Sequence, residues 1–179
     1  MSNIAQLPFK EQIEYFRKKL NIPTQQWNDL LDDAHEQAFT VAGAMEADLL
    51  NDLRRSVSQA IENGIPLDEF RKQFREIVAK RGWTGWTGEG TKKGEAWRTK
   101  VIYDTNIFST HAAGRFQQQK AIANKRPYWQ YKHSHLSADP REQHLAWDGL
   151  ILPHDDPFWS TAYPPNGDGP DPGRITHRR

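Results

Sequence analysis

The sequence predicts an α+β protein, with a helical N-terminal two-thirds followed by a small C-terminal sheet in a loop-rich module. Three observations carry this. Apolar residues recur at helical spacing as far as about residue 122, and a short aromatic segment at 128–133 alternates with period two. From Pro140 onward, seven prolines and four glycines fall within forty residues, a density that leaves room only for loops, turns and short strands.

Phe9, Ile13, Phe16 and Leu20 recur at i, i+4, i+7 and i+11, which predicts an amphipathic helix over 8–20 that Pro23 closes. Thr24 is placed to cap a second helix. Its apolar stripe runs Trp27, Leu30, Ala34, Ala38, Val41, Met45, Leu49, Leu53, Val57 and Ala60, and Gly64 stops it. Unbroken, that stripe would be about 55 Å long at ~1.5 Å per residue, longer than a domain of this size is wide. A bend or break is therefore expected at Gly43. A third helix opens at Pro66, carries Leu67, Phe70, Phe74, Ile77 and Val78 on one face, and ends at Gly82 in the left-handed region.

Five of the thirteen residues from Gly82 to Gly94 are glycine, and Trp-Thr-Gly occurs twice in succession, which reads as a loop. Trp97, Val101, Phe108, Ala112 and Phe116 then mark a fourth helix of about 25 residues. Tyr128 to His133 suit a strand, and residues 139–147 suit one short helix. Asp148-Gly149 is a turn into a short strand that Pro153 terminates. The organisation expected is a helical region over 1–82, a Gly-rich loop over 83–94, a module over 95–167 and a disordered or partner-held tail over 168–179.

The 179 residues fit one compact unit or a core with an appendage. The absence of Cys excludes disulfides, Cys-ligated zinc and Cys nucleophiles, and favours an intracellular folding history. The start, Met1-Ser-Asn-Ile-Ala-Gln-Leu-Pro8, lacks the basic and apolar regions of a signal peptide, and no stretch approaches the ~18 apolar residues of a membrane span. A soluble protein with no membrane contact is expected.

Net charge is only +1, but it is unevenly placed. Residues 1–90 hold 11 basic and 14 acidic side chains, 91–135 hold 9 and 2, and 136–179 hold 4 and 7. The basic middle segment is interleaved with Trp97, Tyr103, Tyr128, Trp129 and Tyr131, a candidate footprint for a phosphate backbone. Lys92, Lys93, Arg98, Lys100, Lys125 and Arg126 are the candidate DNA contacts. The plainer reading, a solvated helix face, outweighs it.

Searches for catalytic patterns return little. Gly85 to Lys92 has the glycine spacing of a phosphate-binding loop, but Thr91 stands where that loop needs Lys, and no apolar strand precedes it. Gly88-Glu89-Gly90 lacks the third glycine of a dinucleotide fingerprint, and neither Gly-x-Ser-x-Gly nor His-Glu-x-x-His occurs. His133 and His135 share one face of a strand, with His144, His154, Asp155 and Asp156 downstream, a candidate zinc or manganese set. Asp155 and Asp156 are adjacent in an extended segment and diverge rather than act as an acid/base pair.

The competing reading is structural and carries more weight. Arg141, His144, Asp148 and the stretch from Asp155 to Pro157 would satisfy backbone groups that a proline-rich, sheet-poor region leaves unpaired. Trp147, Phe158, Trp159 and Tyr163 would supply buried area.

Five short pieces occur in order over about forty residues: Tyr128-Trp129; Asp139-Pro140-Arg141-Glu142-Gln143-His144; Asp148-Gly149; Asp156-Pro157-Phe158-Trp159; and Tyr163-Pro164-Pro165-Asn166-Gly167. Together they resemble the phage Mu F-like minor head proteins, also described as phage head morphogenesis proteins. Thr105 is similar to a threonine of the helix that precedes the motif in that family. The resemblance covers roughly residues 95–167, making that stretch a head-morphogenesis-like module.

The resemblance implies a minor capsid component with no catalytic residue, cofactor or metal, associated with the portal vertex, assembled inside the precursor head and able to leave with the DNA. Its expected partners are portal, scaffold or major capsid protein. The basic middle segment adds non-specific contact with DNA as an expectation, and the long apolar stripe of the second helix, if continuous, needs another protomer or partner to cover it and so predicts self-association through the N-terminal helices. Its expected location is the virion head, and the bacterial cytoplasm during assembly. Asp139, Arg141, His144, Asp148, Gly149, Asp156, Pro157, Trp159, Pro164, Pro165, Asn166 and Gly167 would then be structural motif residues. The alternative is a metal-dependent nuclease or a degenerate nucleotide-using transferase built on His133, His135, His144 and Asp156. One departure stands out: the family continues after Asn166-Gly167 to a Cys-Arg-Cys element, whereas this chain runs Asp168 to Arg179 without cysteine, as a truncation or altered reading frame would.

Overall fold

The computed structural model describes residues 9–26, 28–30, 37–133, 141–163 and 174–178, the last as backbone only. Its elements are α1 (Lys10–Lys18), β1 (Leu20–Asn21), β2 (Ala38–Phe39), α2 (Ala47–Asn63), α3 (Leu67–Arg81), α4 (Lys92–Ala121), β3 (Tyr128–Lys132), α5 (Glu142–Trp147), β4 (Ile151–Pro153), α6 (Phe158–Ala162) and β5 (Arg174–Arg178). Helices dominate and the sheets are small, as the α+β expectation has it. The chain divides into two compact units, Met1–Gly114 and Arg115–Arg179, and the division falls inside α4.

In the first unit, α2 buries Leu49, Leu50, Leu53, Val57, Ala60 and Ile61 along one side. Gly64, at φ +64, ends it in the left-handed region that costs other residues most. Pro66 precedes α3 as its N-cap, and Phe70 and Phe74 face the same core. Past Gly82, the N–H of Trp83 donates to the carbonyl of Val78 at 3.2 Å, closing the helix end as a Schellman motif does.

Both tryptophans of the repeated Trp-Thr-Gly are core residues. Trp83 and Trp86 pack on Phe74 with ring centroids 6.0 and 5.4 Å away, and the Trp83 indole donates to the carbonyl of Gly43 at 3.1 Å. Thr91 Oγ1 accepts from the N–H of Gly94 at 3.0 Å and so caps α4. A Cβ on Gly88 would lie 2.6 Å from the Gly94 carbonyl oxygen, so the loop closes on the first turn of α4 only because both residues are glycine.

Two sequence expectations fail here. The single helix from Thr24 to Ala60 is absent among the described residues: 38–39 are extended and pair in parallel with 20–21, a turn follows at Ala42-Gly43, and the helix begins only at Ala47. Ala38 and Val41 of the expected stripe are buried on non-helical backbone, whereas Met45 of the same stripe is exposed. Gly43, at φ +81, lies at the turn as expected, its N–H donating to the Thr24 carbonyl at 2.7 Å, while the Thr24 hydroxyl caps nothing. Trp27 and Ala34 lie outside the described residues. With Leu49, Leu53, Val57 and Ala60 covered by this unit's own core, the argument for self-association through a long bare stripe loses its premise.

The second failure is the face of α4. Trp97, Val101 and Phe108 are 51%, 38% and 46% exposed, whereas Thr99, Ile102, Asn106, Thr110 and Gly114 are buried. That buried side is small and polar, and α1 lies close against it. The Gln12 amide donates to the Ile107 carbonyl at 3.1 Å and to Thr110 Oγ1 at 3.0 Å, and a Cβ on Gly114 would sit 2.8 Å from the Gln12 backbone nitrogen.

In the second unit, β3 is the centre of a three-stranded antiparallel sheet in the order β4-β3-β5, with Trp129 opposite Leu152 and His177. Trp129, Tyr131 and Trp159 form its core, with Phe116, Trp147, Leu152, Phe158 and Tyr163 packed around them. Residues 174–178, expected to be disordered, form a full strand paired along β3. Its sequence, Arg-Ile-Thr-His-Arg, alternates as a strand does, but the prolines and glycines before it hid that signal.

Asp52 joins α2 to the end of α3: its carboxylate, on a buried residue, accepts from Arg81 at 2.8 Å and from Lys80 at 3.2 Å. These partners, Arg81 foremost, hold its pKa below the ordinary 3.8 against the opposing effect of burial. A native pKa depressed in this way gives stability that is present above the unfolded value of about 3.9 and is lost as pH falls through the native one. Asp52→Asn should therefore lower Tm by a few degrees at neutral pH, and thermal melts from pH 7 to pH 2 should show the deficit closing below about pH 3.9. Gly114→Ala should cost about 1–3 kcal/mol in urea unfolding, because α1 backbone has to move.

Candidate functional site

The residues of the C-terminal motif are the natural candidates, and they gather around the aromatic core of the second unit. Trp147, Asp148, Gly149 and Leu150 form a turn in which Asp148 has φ −60 and ψ 125, Gly149 has φ +87, and the Leu150 N–H donates to the Trp147 carbonyl at 3.0 Å. This is a type II turn, whose third position requires a positive φ and hence glycine. Asp148 has a second role: its Oδ1 accepts from the His133 N–H at 2.9 Å, tying the end of β3 to the turn. The Gly149 N–H in turn donates to the Tyr131 carbonyl at 3.0 Å.

Asp156 and Pro157 start α6. Asp156 Oδ1 accepts from the Phe158 N–H at 2.9 Å, its carbonyl accepts from the Trp159 N–H at 3.1 Å, and Pro157 carries helical backbone angles with no N–H to satisfy. The Trp159 indole donates to the Pro153 carbonyl at 2.7 Å and fixes α6 to β4. His144 is buried, stacked on Trp147 with centroids 5.5 Å apart and planes at 25°. Arg141 departs from the structural reading made of it. Its side chain is exposed, and it acts through its carbonyl, which accepts from His144 and Leu145 N–H groups at the start of α5. Asp139, Pro164, Pro165, Asn166 and Gly167 lie outside the described residues.

One contact of this core has no counterpart in the motif reasoning. The Tyr163 hydroxyl donates to Gln119 Oε1 at 2.7 Å, and burial pushes its pKa up. Gln119 is fully buried near the end of α4, and an apolar-pattern search passes over such a residue by construction.

The described residues of the metal-site alternative do not come together as a ligand set. The His133 backbone N–H donates to Asp148, the His144 ring stacks on Trp147, and Asp156 caps α6. His154 sits beside Trp129 with ring centroids 6.1 Å apart, and His135 lies outside the described residues. Among the described residues, no three His, Asp or Glu side chains converge as a metal site would require.

The six basic candidates are divided between the two units. Lys92 and Lys93 are exposed in the first turn of α4, and Lys100 is exposed but paired with Asp104. These belong to the first unit, whereas Lys125 and Arg126, exposed in the turn after α4, belong to the second. Arg98 is a correction. It is only 6% exposed, its guanidinium donates to the Ala42 carbonyl, and burial lowers its pKa, so no phosphate reaches it. Thr105, in the middle of α4, is exposed.

The described motif residues thus gather around a small aromatic-cored sheet. The chain belongs to the phage Mu protein F-like family: the model of that family, described as phage Mu protein F like protein, matches residues 51–169. Over 171 residues the chain is 37% identical to the putative capsid assembly protein F of Escherichia phage Mu, covering 91% of this chain and 39% of that protein. Over 147 residues it is 37% identical to the Mu-like prophage FluMu F protein of Haemophilus influenzae, covering 80% of this chain and 35% of that one. The chain thus spans under two fifths of the length of the curated relatives it matches. No solved structure matches it significantly. No helix among the described residues is long and apolar enough to cross a membrane.

If Asp148 serves the backbone, Asp148→Ala should cost about 1–3 kcal/mol in urea unfolding by leaving the His133 N–H without its acceptor, and Asp148→Asn should recover most of that.

Proposed function

We propose that this chain acts without catalysis in phage head assembly, docking on portal, scaffold or major capsid protein and working in the virion head and, during assembly, in the host cytoplasm. The observation that carries this reading is the match to capsid assembly protein F along nearly the whole chain. The site geometry supports it: Asp148, Asp156, His144 and Trp159 are engaged with backbone groups and aromatic rings, which is the work of a scaffold.

The docking face we favour is the solvent side of α4. Trp97, Val101 and Phe108 lie on one side of that helix in the first unit, all substantially exposed. An apolar row of this kind, on a helix whose other side is buried, is the surface a partner covers. Contact with DNA is a further part of the reading, with Arg98 removed from the candidates and Lys92, Lys93, Lys100, Lys125 and Arg126 retained.

Affinity capture of the tagged chain from cells producing phage particles should recover portal, scaffold or major capsid protein by mass spectrometry. Trp97→Ser with Phe108→Ser should abolish that recovery and leave Tm unchanged. Capture of none of these head proteins by the unaltered chain would overturn the reading.

A further inference from the structure

We propose that β3, β5 and the turn before β3 form a DNA-binding surface in the second unit, on which Lys125, Arg126, Lys132, Arg174 and Arg178 meet the phosphate backbone. Sequence places two of these cations more than forty residues from the others, in a segment whose net charge is negative. Strand pairing brings them together: the register sets Arg178 opposite Tyr128 and Arg174 opposite Lys132.

With paired strands about 4.8 Å apart and a rise of about 3.3 Å per residue, Lys132, Arg174 and Arg178 fall along one short strand pair, and Lys125 and Arg126 lie in the turn that leads into its Tyr128 end. Its ends are separated by about 13 Å, comparable with the ~12 Å width of the DNA major groove, so phosphates of both strands come within reach. Lys125 and Arg126 are exposed, and no ion pair among the described residues engages them or Lys132. Three carboxylates lie near these cations and keep their charge: Asp148, whose Oδ1 accepts from the His133 N–H, at the Lys132 end, and Asp155 and Asp156, two and three residues beyond Pro153, at the Tyr128 end. Five cations placed by the turn and the strand register, against these three described carboxylates, suit a polyanion, and contacts with phosphate rather than with base edges give binding without sequence preference.

The proposal rests on the DNA-contact part of the reading above, keeps Lys125 and Arg126 of its candidates, and sets Lys132, Arg174 and Arg178 in place of Lys92, Lys93 and Lys100. Fluorescence anisotropy of the full chain with a short labelled duplex, across a potassium chloride series, tests it. Affinity should fall steeply with salt. Lys132→Gln with Arg174→Gln should lower affinity about tenfold and flatten the slope of log K against log salt by about 1 to 2. Lys125→Gln with Arg126→Gln should do the same, and being outside the strands it keeps the test decisive if the first pair disturbs folding. Asp155→Asn should tighten binding, and Lys92→Gln with Lys93→Gln should leave the slope unchanged. No binding at low salt, unchanged slopes in both test pairs, or loss of the slope in the Lys92/Lys93 pair would each overturn the proposal. Head proteins still captured by a chain that fails to bind duplex would overturn this inference alone.

Discussion

The buried side of α4 is the constraint on which the first unit depends. A helix normally joins a core through Leu, Ile or Phe, and here it does so through Thr99, Ile102, Asn106, Thr110 and Gly114. Small side chains let α1 approach closely, and Gly114 makes the closest approach. Polar groups taken out of water by that approach have to be satisfied locally. They are: the hydroxyls of Thr99 and Thr110 donate back to the carbonyls of Glu95 and Asn106 one turn earlier, the Asn106 amide donates to Ile102, and Gln12 bridges to Thr110 from α1. Ile102 joins that buried side, with Tyr103 and Ile107 packed against the core, while Trp97, Val101 and Phe108 of the same helix remain exposed.

That inversion also explains what could be read from the sequence and what could not. The ends of α3 were legible because Pro66 and Gly82 act through local backbone geometry, which needs no knowledge of the rest of the fold. The existence of α4 was legible from periodicity, but not its orientation: Trp97, Val101 and Phe108 recur at helical spacing whether a core or a solvent-facing surface uses them. The stretch from Ala38 to Ala44 shows the opposite error. Ala38 and Val41 there continue the spacing of a helical stripe, while the pairing of β1 with β2, a tertiary event, sets the backbone. Arg98 is the electrostatic version of the same limit. A charge count treats all cations alike, and only packing reveals that this one lies beneath the surface beside the Ala42 carbonyl.

The C-terminal site was more legible, because its motif residues act locally. Asp148-Gly149 specifies a turn, and Asp156-Pro157 specifies a helix start. Both follow from side-chain and φ preferences over two or three residues. A sheet with a three-residue β4 leaves many backbone groups without strand partners, and the two carboxylates supply acceptors where the ladder ends. Tryptophan indoles do comparable work while filling the core, as the Trp159 bond to Pro153 shows. What the residues near the motif could not reveal was β5. Its pairing partner lies more than forty positions upstream, and local composition argued for an unstructured tail.

The two units therefore present surfaces of different chemistry, and that difference bears on function. In the first unit the exposed row on α4 is apolar, and its contribution to binding would come from area removed from water, at about 25 cal/mol per Å², with little dependence on salt. In the second unit the strand pair β3 and β5 concentrates cations, so binding there would weaken as salt rises. Neither surface needs the polar motif residues, which are already committed to holding the sheet and its flanking helices. On the two proposals, the module spends His144, Asp148 and Asp156 on holding the fold and leaves its interaction surfaces to residues that carry no motif. Sequence comparison alone would therefore direct mutagenesis to His144, Asp148 and Asp156, where loss of function and loss of fold would coincide. Substitutions on the solvent side of α4 and along β3 separate the two.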